Sequence, residues 1–326
     1  MKDRSGIICE VITAVVLVTP ALYGLSLAAP ITRNKGGVMQ SEIELHHPKN
    51  LAEALTLLAH YGPDGKLLAG GTNMVVELRD GHHNGKSLVD LSHLKELRGI
   101  SKQDGYIVIG GGTTITELID HPLIGAHAGI LREAARLFAN PLVRNRATVA
   151  GNLVDASPAA DTAPPLLALN AEVQLMSQVA TRWIKLEDFI TGVRRTLLQP
   201  GELLYAIRWP VPSARSAGAY TKVGLRKADA ISVLSTAVMV ELDDVGVCQQ
   251  TSIALGAVSP KPFRAHEAEA LLKGKVLDSA LIAEAARLAA ESTRPIDDIR
   301  GTAAYRKRVV AVTVRRLLTK AVEVLK

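Results

Sequence analysis

Cysteine is scarce in this chain, whose 326 residues contain only Cys9 and Cys248. Two isolated cysteines cannot supply the four thiolates that a Cys₄ zinc site or a typical iron–sulfur cluster needs. The nine histidines show no H-x-x-x-H spacing, and the adjacent His82 and His83 lie in a polar, glycine-flanked stretch that is typical of a solvated loop. The sequence therefore predicts no metal site and no cluster within this chain.

Aromatic residues are also few, at 3% of the chain, so stacking platforms for single-stranded nucleic acid are poorly supplied. Lysine and arginine outnumber aspartate and glutamate by 38 to 32, but the basic residues are scattered, and we predict no nucleic-acid partner. One basic group stands in and before the last predicted helix. We interpret it as a solvated helix face, with docking of an acidic partner as the alternative. This group comprises Arg300, Arg306, Lys307, Arg315 and Arg316.

A long uninterrupted apolar run is missing too. A basic start precedes apolar residues 11–19 and small residues 25–29, which is the outline of a secretory signal peptide. Pro20 interrupts this pattern, and Met39 directly precedes the first segment that has the pattern of a folded domain. We therefore expect residues 1–38 to be a mis-assigned start and the protein to be cytoplasmic, with export as the alternative. A membrane anchor is not expected, because a span needs about 20 apolar residues.

Glycine, in contrast, is concentrated in three segments that each follow or precede a short predicted element. A backbone without Cβ atoms can bring its N–H groups close to an anion, as phosphate-binding loops do. An ordinary strand-turn-helix connection is the alternative for each segment taken alone. The segments are Gly70-Gly71-Thr72-Asn73, Gly110-Gly111-Gly112-Thr113-Thr114 and Thr148-Val149-Ala150-Gly151-Asn152.

These segments do not match the two common nucleotide-binding motifs. No G-x-G-x-x-G follows the predicted strands at residues 66–69 and 106–109, and no G-x-x-x-x-G-K-[ST] occurs in the chain. The spacing of about forty residues leaves room for short strands and helices only, not for full βαβ units. A compact α+β cofactor domain is the better interpretation. After the third segment, turn-forming residues lead to Asp161, which we expect to cap a short proline-initiated helix at residues 164–169.

Hydrophobic periodicity gives the remaining elements. A change of composition at residues 211–218 marks the predicted boundary of a second α+β unit, with three antiparallel strands followed by three helices. Residues 189–198 are predicted to form a loop. Helices are predicted at residues 51–61, 131–138, 262–272, 277–292 and 302–325. Strands are predicted at residues 66–69, 87–91, 106–109, 171–176, 182–186, 203–208, 219–223, 231–242 and 248–255.

From Met39 to Lys326 the chain resembles the FAD-binding medium subunits of the molybdenum hydroxylases, of the carbon monoxide dehydrogenase and xanthine dehydrogenase type. Several motifs in the same order carry the resemblance. They are Leu68-Ala69-Gly70-Gly71-Thr72-Asn73, Leu88-Val89-Asp90-Leu91, Ile109-Gly110 with Thr113-Thr114, Arg144-Asn145 through Asn152, Ala156-Ser157-Pro158 with Asp161, and Asp298-Ile299-Arg300-Gly301 with Tyr305-Arg306.

The resemblance implies an α+β fold. It implies an FAD-binding domain of the vanillyl-alcohol-oxidase (PCMH) type at residues 39–212, made of two α+β subdomains. A C-terminal α+β domain follows at residues 216–326, with a three-stranded antiparallel sheet and helices. FAD would pass electrons from the [2Fe–2S] clusters of a small partner subunit to NAD or another external acceptor, while a molybdopterin-containing large subunit binds the substrate. A self-sufficient flavin oxidase and a non-catalytic nucleotide-binding module are the alternatives.

The resemblance also implies cofactor-binding residues and no catalytic residue in this chain. Phe138, Leu204 and Lys222 fall where the family places further flavin contacts, with a structural role as the alternative for these three. Ala150 departs from the more usual glycine. A four-cysteine insertion typical of 4-hydroxybenzoyl-CoA reductase subunits is missing. The remaining implied residues are Leu67, Leu68, Ala69, Gly70, Gly71, Thr72, Asn73, Met74, Thr113, Thr114, Thr148, Val149, Ala150, Gly151, Asn152 and Asp161.

Overall fold

The computed structural model describes residues 43–81 and 87–326. The predicted leader at residues 1–38 and the His82-His83 loop lie outside these ranges, and the cytoplasmic location stays a prediction. None of the helices in the described ranges combines enough length with enough apolar character to span a bilayer.

The first layer is a three-stranded parallel sheet in the order β1-β3-β2, with one helix against it. Asn50 begins that helix, because its side-chain oxygen accepts a hydrogen bond from the Glu53 N–H at 2.9 Å. Ala54, Leu58 and Val89 are buried between helix and sheet. The elements are β1 (Glu44–His46), α1 (Leu51–Tyr61), β2 (Gly65–Leu68), α2 (Met74–Arg79) and β3 (Ser87–Asp90).

The second layer is a five-stranded antiparallel sheet in the order β4-β5-β10-β6-β7. Its strands alternate, so that Ile107, Ile109, Val173 and Trp209 are fully buried on one face. Short helices cover that face. The strands are β4 (Ile100–Gln103), β5 (Tyr106–Gly110), β6 (Glu172–Met176), β7 (Thr181–Lys185) and β10 (Leu203–Pro210). The helices are α3 (Ile115–Asp120), α4 (Pro122–His127), α5 (Gly129–Arg136), α6 (Pro141–Arg144), α7 (Val149–Val154) and α8 (Ala163–Ala168).

The third layer is an antiparallel sheet in the order β11-β12-β13-β14, and its two faces are both covered. Val238 and Ile253 pack towards the C-terminal helices, whereas Tyr220, Ala237 and Ala254 pack towards α5 and α8. The strands are β11 (Ser216–Val223), β12 (Leu234–Leu242), β13 (Cys248–Gly256) and β14 (Phe263–Arg264). The helices are α10 (His266–Leu272), α11 (Ser279–Glu291) and α12 (Ala303–Leu325).

Three local predictions differ from the structure. Residues 189–198 are not a plain loop, since the helix α9 (Leu186–Phe189) leads into a hairpin of β8 (Ile190–Gly192) and β9 (Arg195–Thr196). Residues 263–264 form a fourth strand rather than a helical start, because they pair with β13. The predicted basic face is also wrong in part. Arg306 is buried, and its guanidinium binds Asp298 and the carbonyl of Ala257.

The polypeptide passes from the second layer to the third at residues 211–215, between β10 and β11. The domain boundary predicted there stays a prediction.

Candidate functional site: an anion-binding loop and a buried acid

The loop Gly70–Asn73 connects β2 to α2 and presents unsatisfied backbone donors. Two of its carbonyl groups accept hydrogen bonds, since Gly71 O accepts from the Val75 N–H at 3.1 Å and Asn73 O accepts from the Glu77 N–H at 3.0 Å. The four N–H groups of this loop donate no hydrogen bond within the described part of the chain. Gly71 has φ +73°, a conformation that favours glycine. A run of free N–H groups with such a turn can bind an anion.

Gly70 brings this loop directly against the segment that precedes α7. A Cβ atom on Gly70 would lie 2.0 Å from the carbonyl oxygen of Arg146, closer than any real contact. The approach of two backbones is therefore possible only because this residue has no side chain. Gly71 is required for a different reason, because its backbone adopts the left-handed conformation that favours glycine.

The segment Thr148–Asn152 is not the second loop that the sequence suggested. It is the first turn of α7, and Thr148 caps this helix by accepting a hydrogen bond from the Gly151 N–H at 3.1 Å. Three further N–H groups are occupied, because Val149 donates to Thr113 O at 3.0 Å, Ala150 to Gly111 O at 3.1 Å and Asn152 to Thr148 O at 3.0 Å. The segment Thr148–Asn152 therefore forms one side of the candidate site, here called the wall of α7, rather than a second run of backbone donors. A contact of its residues with FAD stays a prediction.

The Gly110–Thr114 segment serves mainly as a structural joint. The Gly111 N–H donates to Tyr205 O at 2.7 Å, and Thr114 pairs with Thr148 in an isolated antiparallel bridge. Thr114 also forms a capping box with Glu117 at the start of α3. Thr113 is buried, and its hydroxyl lies 3.3 Å from Gly99 O. The segment Gly110–Thr114 thus contacts both β10 and the start of α7 and holds these two elements together.

The three segments together enclose a cleft. Five residues implied by the resemblance line it, namely Ala69, Gly70, Thr148, Ala150 and Leu204. Four polar lining residues were not among those implied, namely Ser92, Arg98, Asn145 and Arg146. Asn145 and Arg146 lie within the motif that begins at Arg144, whereas no motif of the sequence pointed to Ser92 or Arg98.

A second cluster forms around Asp161, 8% exposed, whose side chain does not cap α8 as predicted. Its carboxylate instead binds two residues from the third layer. The Lys222 ammonium lies 2.6 Å from Oδ2, and the Ser232 hydroxyl donates to Oδ1 at 2.7 Å. Burial raises the pKa of Asp161 above its usual range, and the Lys222 ammonium and the two hydrogen bonds oppose that rise. The prediction of a cap failed because this charge partner comes from a distant strand.

Phe138 directly follows Leu137, whose carbonyl contacts the second cluster. The Lys222 ammonium also donates to the carbonyl of Leu137 at 3.1 Å, and the Arg144 guanidinium donates to Phe138 O at 3.2 Å. Phe138 is partly buried against the main core. The other implied residues lie within or beside the first loop and α7.

The residues present fit a dinucleotide cofactor. A diphosphate carries two negative charges. The four N–H groups of Gly70–Asn73, which have no acceptor among the described residues, are the kind of donors that it requires. The described residues contain no group of three or more histidine, cysteine, aspartate or glutamate side chains arranged to hold a metal ion. Cys248 is buried and lies 2.9 Å from the Thr251 hydroxyl.

The fold is α+β and its glycine loop and cleft suit a dinucleotide, and comparisons with known proteins identify the class as FAD-binding. Residues 41–212 match the family described as the FAD binding domain in molybdopterin dehydrogenase. Residues 219–321 match the CO dehydrogenase flavoprotein C-terminal domain. The chain thus belongs to the family of FAD-binding medium subunits of molybdenum hydroxylases.

Individual relatives support the same assignment. The carbon monoxide dehydrogenase medium chain of Afipia carboxidovorans is 33% identical over 87% of this chain and 98% of its own. The xanthine dehydrogenase FAD-binding subunit of Escherichia coli O157:H7 is 31% identical over 85% of this chain and 95% of its own. A chain in the structure of reconstituted CO dehydrogenase from Oligotropha carboxidovorans superposes with a TM-score of 0.83 at 33% identity, over 88% of this chain and 99% of that one.

Proposed function

We propose that this chain binds FAD and serves as the electron-transfer subunit of a molybdenum hydroxylase complex. Its partners would be a molybdopterin-containing large subunit and a small subunit with [2Fe–2S] clusters. Electrons would enter from the clusters and leave to an external acceptor such as NAD. Membership of the medium-subunit family supports this proposal.

The chain's own residues would bind and orient the cofactor. The N–H groups of Gly70–Asn73 would hold the diphosphate, with the wall of α7 and Leu204 closing the cleft beside it. Asp161 and Lys222 would supply a carboxylate and an ammonium from the second cluster. The bound flavin supplies the redox chemistry, because it accepts and releases electrons singly or in pairs.

One observation favours electron transfer over substrate oxidation by this chain alone. Among the described residues, those that line the cleft include no histidine, aspartate, glutamate, lysine or tyrosine that could take a proton from an organic substrate. Asp161 already binds Lys222 and Ser232, which leaves it poorly suited to act as a base. A self-sufficient flavin oxidase would need such a group.

The test compares the purified chain with the complex isolated from its native host. We expect the chain alone to show the visible absorption of bound flavin at one FAD per chain, and to reduce no dye with an aldehyde, a purine or carbon monoxide. The complex should turn over one of these substrates. Turnover by the chain alone would refute the proposal, as would a colourless chain or isolation from the host without either partner.

A further inference from the structure

Ser232 is fully buried and has no contact with the anion-binding cleft, yet it binds the acid of the second cluster. It lies in the segment between β11 and β12, and its hydroxyl donates to Asp161 Oδ1 at 2.7 Å. Lys222, on β11, occupies Oδ2 at 2.6 Å. Both donors therefore come from the C-terminal domain and act on a residue of the FAD-binding domain.

A buried carboxylate stays ionised only if its oxygens accept hydrogen bonds or face a positive charge. Here each oxygen has one donor, and since a carboxylate has about four acceptor positions, each oxygen retains capacity for a further donor. Among the described residues, Tyr220 on β11 is a further titratable group beside Asp161. Burial, and after it the Asp161 charge, raise the pKa of Tyr220 well above its usual range. Tyr220 is thus neutral, and Lys222 is the cation of the cluster.

We propose that Ser232 is a positioning residue of the cofactor site, which orients the Asp161 carboxylate and keeps it ionised so that it can accept a hydrogen bond from bound FAD. This inference rests on the proposed FAD-binding function. It assigns part of the cofactor site to the C-terminal domain, through a side chain that need not touch the flavin.

The test is the pH dependence of FAD affinity in the full chain, measured by titrating FAD back into the flavin-free protein and following flavin fluorescence. Without the hydroxyl, Asp161 should protonate at a higher pH, because a hydrogen bond to a charged group has been lost. We expect Ser232→Ala to bind FAD nearly as tightly as wild type at pH 8 and to lose affinity at a higher pH than wild type as the solution is acidified. Where Asp161 is protonated in the variant and still ionised in wild type, the variant should bind FAD about tenfold more weakly.

Four variants make the test specific. Ser232→Thr keeps a hydroxyl and should restore the wild-type profile, and Ser232→Cys, a weaker donor of similar size, should fall between the two and carries the test if the alanine variant does not fold. Ser252→Ala removes another buried hydroxyl, from β13, and should leave the profile unchanged. In an Asp161→Asn background, Ser232→Ala should have no pH-dependent effect, because no carboxylate remains.

A Ser232→Ala profile that follows wild type at every pH would refute the positioning role alone. Equal losses in Ser252→Ala, or a pH-dependent effect that persists without the Asp161 carboxylate, would refute it as well. If the wild-type chain binds no FAD, the proposed function itself fails, and this inference fails with it.

Discussion

Two adjacent glycines, Gly70 and Gly71, have different physical tasks in the same loop. Gly71 adopts φ +73°, which a residue with a side chain reaches only with strain. Gly70 has an ordinary backbone but touches the carbonyl of Arg146 so closely that no Cβ atom fits. The close packing of the loop against the segment before α7 depends on the absence of a Cβ atom at Gly70, and the left-handed turn of the loop depends on Gly71.

We expect Gly70→Ala to lose bound flavin, because the new Cβ would push the loop away from Arg146 and misplace the N–H groups. The loss of one hydrogen bond to a charged group already corresponds to at least about tenfold weaker binding. FAD content after purification and a fluorescence titration measure the effect.

Gly246→Ala is the matched control, since Gly246 has φ +83° with nothing within 4 Å of a new Cβ atom. It should cost roughly 1 kcal/mol of stability for the backbone conformation and leave FAD binding intact. Full flavin retention in Gly70→Ala would show that the close approach has no role in cofactor binding.

The long helix α12 shows how one buried charge anchors an element. Its interior face is apolar, with Val310, Val314 and Leu318 fully buried. Arg306 interrupts that face near the helix start and is 3% exposed. Its guanidinium is compensated by Asp298 and by the carbonyl of Ala257, so the helix start is tied to two loops of the same domain.

We expect Asp298→Asn to lower the free energy of unfolding by on the order of 2 kcal/mol near neutral pH, because it leaves a buried guanidinium without its charge partner. The hydrogen bond from Arg306 holds the pKa of Asp298 below its usual 3.8. The stabilisation is thus complete above pH 3.8 and is lost as the pH falls through the lowered pKa.

Urea unfolding of wild type and Asp298→Asn at several pH values measures this. The difference between the two proteins should shrink as the solution becomes more acidic than pH 3.8. Glu284→Gln, which weakens an exposed ion pair with Arg287, should have little effect and serves as the control. A difference that is constant with pH would contradict the ion-pair explanation.

The FAD-binding and C-terminal domains are joined by polar contacts as well as by apolar packing. Lys222 binds both Asp161 and the carbonyl of Leu137, and the Ala257 N–H donates to Pro158 O at 2.7 Å. The Lys222 side chain is only 5% exposed. Because Lys222 and Asp161 belong to different domains, the second cluster lies at the interface between these domains.

We expect Lys222→Met to destabilise the flavin-free chain by about 3 kcal/mol, because it leaves the buried Asp161 carboxylate uncompensated. The double variant Lys222→Met with Asp161→Asn should recover part of that loss, since no charge remains. Thermal unfolding of the flavin-free proteins measures both effects separately from cofactor loss.

Lys227→Met changes an exposed lysine in the hairpin that follows β11 and is the control, with little expected effect. If the double variant is no more stable than Lys222→Met, the stability comes from packing of the lysine stem rather than from charge compensation.

Much of the architecture could be predicted from the sequence, because its causes are local. Four such features depend on residues that are close together in the sequence. They are the apolar periodicity of α12, the cap at Asn50, the long strands of the C-terminal sheet and the first glycine loop. The ordered set of motifs was also sufficient for the family. None of these features needs knowledge of a distant partner.

The tertiary structure alone decided which polar groups are free and which are satisfied. Residues 148–152 have the composition of a loop but form the first turn of α7, and the carbonyls of Thr113 and Gly111 accept hydrogen bonds from the Val149 and Ala150 N–H groups. Asp161 is followed by a proline-rich helix, yet its carboxylate turns to Lys222 and Ser232, which lie 61 and 71 residues further along the chain. Local sequence sets which conformations a segment prefers. Only the assembled fold determines which donors and charges a segment meets there.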